Sequence, residues 1–278
     1  MPLPVHWVNC DRSATLNPAD RGFLYGDGLF ETIRIHAGKI HLLPLHLARL
    51  RQGCQVLDIA LDEAVVLRQL ELALDYLEQH SIADAACRLA LSRGVGERGY
   101  GGTCGESTVV LSLSTASAWR EPAAELDIII CETALAAQPL LAGIKHSNRL
   151  EQVLAARELE RRGAAEGLML NYRGEIVCAV AANVFALFEG SLLTPPIADC
   201  GIAGTVRQLI LDELGPAAGL DVTEQPFTSA DLQQAQELFL TGSIVGIRSV
   251  ASCGDQRFTS TRWGDTLRSS FYEWSETS

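Results

Sequence analysis

Apolar residues alternate with polar or small ones at Val5-His-Trp-Val, Glu31-Thr-Ile-Arg-Ile and Lys39-Ile-His-Leu, a period of two that predicts strands. Ala37-Gly38 separates the last two and predicts a hairpin turn. From Pro44 the period lengthens: Leu47, Leu50, Cys54 and Leu57 share one helical stripe, with Pro44 in a first turn that tolerates it and Arg49 off the stripe. A second helix is predicted from about Asp62, a good cap, through Val66, Leu70, Leu74 and Leu77. The segments around Cys87, Leu89 and Leu91 and over Thr108-Val-Val-Leu-Ser-Leu predict two more strands. Between them lies a glycine-rich segment, Arg93 to Gly102, expected to be mobile.

After Leu113 the chain turns polar and contains proline, so residues 114–125 are expected to link a small N-terminal α/β domain (1–113) to a larger C-terminal domain (126–278). The second half opens on a buried-strand run, Leu126-Asp-Ile-Ile-Ile-Cys. It reaches its clearest helix at Asn148 to Arg162, where Asn148 and Glu151 have capping-box spacing, Leu150, Val153 and Leu154 begin an apolar face, and Gly163 provides the stop. Gly167-Leu-Met-Leu, Glu175-Ile-Val-Cys and Asn183-Val-Phe-Ala-Leu-Phe read as successive antiparallel strands. A helix through Val206, Leu209, Ile210 and Leu214 follows. Strands mixed with helices in this way place the chain in the α/β class.

Composition narrows the function classes. A chain of 278 residues with 47% hydrophobic and 20% charged residues can bury a sizeable core. With 22 basic against 34 acidic residues and no basic run, its net charge of −12 argues against nucleic acid or an anionic membrane as partner. The start has no basic region leading into an apolar core, and no apolar run is long enough to span a bilayer, so a cytoplasmic protein is expected. Eight cysteines without C-x-x-C or zinc spacing read as reduced thiols, mostly buried, with no metal site.

Only Lys39 and Lys145 are available for amine chemistry. Lys145 lies between an apolar segment and the start of the clearest helix, where desolvation and the positive helix end would lower its pKa and free its amine for a Schiff base. A solvated lysine at a helix start is the alternative. Gly201-Ile-Ala-Gly204 before a helix leaves the Thr205 and Val206 N–H groups able to grip a phosphate, or else forms a plain turn. Ser243 sits in a small polar turn that could add a donor, and Arg49 could pair with phosphate bidentately or be a solvated helix arginine. Arg98 and Tyr100, on a glycine frame, suit an acidic substrate, or mark an exposed hairpin tip. Serine-hydrolase, P-loop and zincin motifs are absent.

In this order, Tyr25-Gly-Asp-Gly-Leu-Phe-Glu-Thr-Ile-Arg, His46-Leu-Ala-Arg-Leu, Ser92-Arg-Gly-Val-Gly-Glu-Arg-Gly-Tyr, Gly143-Ile-Lys-His-Ser-Asn-Arg-Leu-Glu-Gln-Val-Leu, Ala182-Asn-Val-Phe and Gly204-Thr-Val-Arg resemble the fold-type IV pyridoxal-phosphate enzymes. That family includes branched-chain and D-amino-acid aminotransferases and aminodeoxychorismate lyase. The resemblance covers nearly the whole chain and implies a two-domain, D-amino-acid aminotransferase-like architecture, pyridoxal 5'-phosphate as cofactor and a homodimer. It makes Lys145 the Schiff-base lysine and proton carrier, and Arg49, Thr205, Val206 and Ser243 the phosphate ligands. By position in the loop, Arg98 and Tyr100 would bind substrate carboxylates. The Lys145 segment and the Arg-Gly-Tyr loop are most similar to the lyase, which implies release of pyruvate from 4-amino-4-deoxychorismate to give 4-aminobenzoate.

One position departs from the family. Five residues before Asn183, where these enzymes carry the glutamate that keeps the cofactor's pyridine nitrogen protonated, stands Cys178. Glu175 lies on the opposite strand face and is not a substitute. A neutral thiol holds a pyridinium poorly, which weakens the electron sink of transamination more than it hinders an elimination driven by aromatisation. The departure also leaves open an aminotransferase, or a homologue that has lost the cofactor or catalysis.

Overall fold

The computed structural model describes residues 3–101, 104–120 and 124–277. They form two compact units, Met1–Glu121 with Ile144–Asn148, and Pro122–Gly143 with Arg149–Ser278. The expected linker therefore differs in detail: β-structure continues to Thr115, and residues 121–123, like Gly102, lie outside the described residues. Lys145, expected in the larger domain, is grouped with the first unit because its segment hydrogen-bonds to a strand there.

Among the described residues, the first unit contains an antiparallel five-stranded sheet ordered β1-β5-β4-β2-β3. Its strands are β1 (Val5–Val8), β2 (Gly28–His36), β3 (Lys39–Ile40), β4 (Asp84–Ser92) and β5 (Thr108–Thr115). A short helix, α1 (Arg21–Tyr25), precedes β2, with the Asp20 carboxylate accepting from Gly22 N–H. Ala37 and Gly38 both take positive φ, the twist that a two-residue hairpin needs. Two longer helices, α2 (Leu43–Leu57) and α3 (Glu63–Gln79), bury their stripes on the sheet. Asp62 caps α3 by accepting from Ala64 and Val65 N–H. A Cβ on Gly53 would stand 2.7 Å from Leu29, so glycine is what allows α2 to lie so close to β2.

The second unit is built on one mixed sheet with strand order β11-β10-β9-β12-β13-β6-β7-β8, β14 pairing off that path with β13. In chain order the strands are β6 (Leu126–Ile130), β7 (Gly167–Leu170), β8 (Ile176–Ala179), β9 (Asn183–Phe188), β10 (Ser191–Thr194), β11 (Asp221–Glu224), β12 (Glu237–Gly242), β13 (Gly246–Cys253) and β14 (Gln256–Arg257). β7 and β8 form the expected hairpin, but β9 pairs with β10 and β12 instead of β8, because the chain turns back at Ala179 to Ala182 and enters the middle of the sheet. Helix α4 (Leu150–Arg162) follows β6, and α5 (Thr205–Leu209) continues through a π turn at Ile210–Leu214 into α6 (Gly215–Ala217). The C-terminal helix α7 (Arg262–Thr277) begins where buried Glu237 accepts from Trp263 and Gly264 N–H. Phe185 and Phe239 stack 5.2 Å apart in the core beneath.

Candidate active site

In the first unit, β2 sorts its side chains to two faces by strand alternation. Leu29 meets α2, and Glu31, on the same side, is buried against that helix. Phe30 and Thr32 face the other way. The segment carrying Lys145 runs along β2: Phe30 N–H donates to Lys145 O and Ser147 N–H to Gly28 O, both at 2.9 Å. Lys145 Nζ lies 4.4 Å from the centre of the Phe30 ring. Arg88, paired with Thr32 across β4, brings its guanidinium carbon within 3.8 Å of the same ring centre. No carboxylate pairs with Arg88 among the described residues. The Arg88 guanidinium and the Lys145 amine thus both lie against the Phe30 ring, an arrangement suited to an anionic substrate. Arg88 and Phe30 were not singled out in the sequence, since they converge only through strand register. Lys39 is exposed at a hairpin.

Arg49, which the helical stripe left outside the core, is buried. Its Nε donates to Glu31 Oε1 at 2.8 Å and a second nitrogen to Glu31 Oε2, while His46 Nδ1 lies 2.6 Å from Oε2. Burial alone would push the Glu31 carboxyl up, but the charge and hydrogen bonds of Arg49, with that of His46, hold it down at about 2. Glu31 is therefore an anion that fixes the orientation of Arg49.

Arg98 and Tyr100 project from the glycine-rich loop into solvent, Tyr100 with 88% of its surface exposed. The segment expected to be mobile is tied down over 99–100, where Gly99 and Tyr100 carbonyls accept from Arg21 at 2.8 and 2.7 Å.

The expected capping box at Asn148 does not form. Asn148 Nδ2 donates to Gly26 O, Glu151 Oε1 accepts from Ala136 N–H, and the helix begins at Leu150 with Arg149 as cap. Lys145 consequently stands on an extended segment five residues before α4, outside the first turn where a helix dipole acts.

In the second unit, Gly204 caps α5 and has no side chain to occupy the first N–H groups, those of Thr205 and Val206. Asn183 donates to Ile202 O at 2.9 Å, and a Cβ on Gly204 would stand only 1.9 Å from Asn183 Oδ1. Opposite Asn183 across the ladder is Thr241, whose buried Oγ1 has no hydrogen-bond partner among the described residues. Ser243 follows in the turn between β12 and β13. Backbone N–H donors at a glycine cap and a buried hydroxyl without a partner among the described residues fit a phosphate. Thr241 opens the Thr-Gly-Ser turn from which the sequence offers hydroxyl or amide donors.

Cys178 on β8 is buried in an apolar cluster that includes Cys131, Val177, Met169 and Cys200, and burial pushes its thiol up to about 12. It is a neutral thiol in the physiological range. Glu175, in the turn just before β8, accepts from Asn171 Nδ2 and Arg173 Nε at 2.7 and 2.8 Å.

Comparison with known proteins bears on this arrangement. The family model for amino-transferase class IV matches residues 28–253. An aminodeoxychorismate lyase of Vibrio harveyi is 33% identical over 253 residues, 88% of this chain and 90% of the relative. A putative branched-chain-amino-acid aminotransferase of Methanocaldococcus jannaschii is 31% identical over 241 residues, covering 85% and 82%. The crystal structure of 4-amino-4-deoxychorismate lyase from Pseudomonas aeruginosa superposes with a TM-score of 0.85 at 37% identity, over 97% of this chain and 98% of that one.

Proposed function

This chain belongs to the amino-transferase class IV family of fold-type IV enzymes, whose cofactor is pyridoxal phosphate, and we propose that within it the chain is an aminodeoxychorismate lyase. The observation that carries the proposal is Arg88 and Lys145 on the Phe30 ring: an amine able to carry a proton, and a guanidinium, that of Arg88, with which no carboxylate among the described residues pairs. 4-Amino-4-deoxychorismate offers carboxylates to such a cation. The identity to lyases of two organisms, together with the neutral Cys178, points the same way.

When bound, pyridoxal phosphate supplies an aldehyde for the substrate's amine and an electron sink. Thr205 and Val206 N–H, Ser243, Thr241 and Arg49 would hold its phosphate, with Glu31 keeping Arg49 in place. Lys145 follows by two residues Gly143, which pairs with Gly201 and Ala203 in the phosphate turn, so chain connectivity alone keeps its Cα within about 7 Å of Gly143. Lys145 Nζ removes the proton from the ring carbon bearing the substrate amine. The ring C–O bond breaks with its electron pair going to oxygen, the enolpyruvate leaves and takes up a proton at its methylene carbon to become pyruvate, balancing the one removed from the ring, and the ring becomes aromatic as 4-aminobenzoate. Arg88, Arg98 and Tyr100 hold carboxylates through this step. Cys178 would present an uncharged thiol, where the family carries a glutamate, toward the pyridine nitrogen, which would disfavour transamination.

Leu150, Val153 and Leu154 on α4 are 77%, 46% and 57% exposed, and a second copy of the chain in a homodimer is the occupant proposed for that apolar face. The protein is placed in the cytoplasm on the same reading; no described helix is long and apolar enough to cross a membrane.

Two assays test the proposal. Borohydride reduction after loading with pyridoxal phosphate should place the adduct on Lys145, and pyruvate should appear from aminodeoxychorismate without an added keto acid. Amine transfer that requires a keto acid would favour the second reading, an aminotransferase, for which the 31% identical relative speaks.

A further inference from the structure

Arg21 is almost entirely buried, and each of its three guanidinium nitrogens donates a hydrogen bond within the first unit. Nε donates to Asp27 Oδ2 at 2.8 Å, while NH1 and NH2 donate to the successive carbonyls of Gly99 and Tyr100 at 2.8 and 2.7 Å. The same plane lies over the Tyr25 ring, its carbon 5.0 Å from the ring centre. Tyr25 adds a second tether: its hydroxyl accepts from Gly99 N–H at 3.3 Å, and its ring lies 5.4 Å from that of Tyr100. Asp27 also accepts from Arg93 Nε, and Arg93 donates onward to Leu57 O at the end of α2. One exposed loop is thereby braced on a buried ion network.

Gly99 takes φ +103, a backbone conformation that L side chains rarely adopt, in open space where no neighbour would obstruct a side chain, so the glycine serves the backbone conformation that presents this segment to Arg21 and not close packing. The outcome is a loop whose backbone is fixed at 99–100 while the Arg98 and Tyr100 side chains remain in solvent. A surface hairpin needs no such brace for its own stability. A pair of side chains that must meet a ligand in a defined geometry does, because ordering them beforehand removes that entropy cost from binding.

We infer that Arg21 is a positioning residue for substrate recognition, which with Tyr25 holds the Arg98–Tyr100 segment ready for an anionic substrate. This deepens the lyase reading and rests on it for the role of the loop, but the tether itself can be measured without any activity.

The variants are Arg21→Lys, which keeps a charge for Asp27 but cannot span two carbonyls, and Tyr25→Phe, which removes a single hydroxyl and should fold without difficulty. Trypsin cleavage after Arg98, followed by mass spectrometry on the pyridoxal-phosphate-loaded protein, reads the tether. It should accelerate several-fold in both variants. In steady-state assays with aminodeoxychorismate, Tyr25→Phe should raise KM roughly three- to ten-fold, the loss of one hydrogen bond, and Arg21→Lys should raise it further. In both, kcat should stay within about two-fold and the absorbance of the loaded protein should be unchanged. Unchanged cleavage in both variants would overturn the tether. Faster cleavage with a fall in kcat at constant KM would overturn its role in recognition. A wild-type protein without lyase turnover would defeat the functional reading instead, and the KM comparison would then be made with the keto acid of the aminotransferase assay.

Discussion

The Lys145 amine lies over Phe30 while the Lys145 carbonyl accepts the Phe30 backbone N–H, so one residue of β2 holds the lysine at both ends. The backbone bond belongs to the segment and survives any side-chain change, whereas the ring contact belongs to the amine. Lys145→Ala is therefore expected to keep the segment paired to β2 and to shift stability by less than about 1 kcal/mol. It should abolish both the borohydride adduct and turnover. Thermal melting followed by circular dichroism, with mass spectrometry after reduction, checks both halves, and a variant with full activity would end the assignment of this lysine.

Buried Glu31 makes a pH prediction with a definite sign. Its carboxyl is lowered from 4.5 to about 2 in the folded protein, so the folded state binds fewer protons than the unfolded state between those values. The stabilisation is fully present above about pH 4.5 and disappears as the pH falls through 2. The shift corresponds to roughly 3 kcal/mol. Glu31→Gln should flatten the stability profile across that window. It should also destabilise the protein at neutral pH by about 3–5 kcal/mol, since it removes the carboxylate that faces the buried Arg49 guanidinium. Urea denaturation at a series of pH values compares the two slopes.

What the sequence reveals of these residues depends on how far along the chain their partners lie. The α2 and α3 stripes, the Ala37-Gly38 turn, the Asp62 cap and the bare turn before α5 all rest on local signals and were legible. Arg49 looked solvated because its partner, Glu31, lies 18 positions back on another element, and a helical stripe carries no information about a carboxylate on the facing sheet. Arg88 went unnoticed for the same reason: only the Thr32 to Arg88 register brings it to Phe30. Asn148 and Glu151 had the spacing of a capping box, but more distant backbone groups at Gly26 and Ala136 took both side chains. The composition of Arg93 to Gly102 predicts a mobile segment, and what holds it at 99–100 is Arg21, 78 residues before Gly99.

The phosphate cradle should be intolerant of a single methyl. Because a Cβ at position 204 would stand 1.9 Å from Asn183 Oδ1, Gly204→Ala forces the Asn183 amide away from Ile202 O and moves the start of α5. Overpacking of this kind costs about 1–3 kcal/mol. The expected effect on cofactor affinity is larger than on stability, because the displaced backbone carries the donors. Titration with pyridoxal phosphate, read by absorbance, should show at least about ten-fold weaker binding, roughly 1.4 kcal/mol. An unchanged affinity would mean that the phosphate is held elsewhere.

Cys178 gives the sharpest separation between lyase and aminotransferase. The thiol is neutral, with its acid dissociation pushed up to about 12, and Arg149 is the cation whose charge reaches it. A carboxylate at this position would meet that cation and would favour a proton on the pyridine nitrogen, strengthening the electron sink that amine transfer requires. Cys178→Glu should therefore raise keto-acid-dependent amine transfer relative to pyruvate release by about ten-fold or more, equivalent to roughly 1.4 kcal/mol between the two barriers. Cys178→Ser, neutral and of similar size, should leave the ratio within about two-fold and serves as the control for packing. Nitrogen-15 NMR of labelled cofactor in the two variants supplies the readout independent of turnover: the ring nitrogen should be protonated with glutamate and unprotonated with serine. If the ring nitrogen is already protonated in the wild-type protein, Cys178 does not set the reaction.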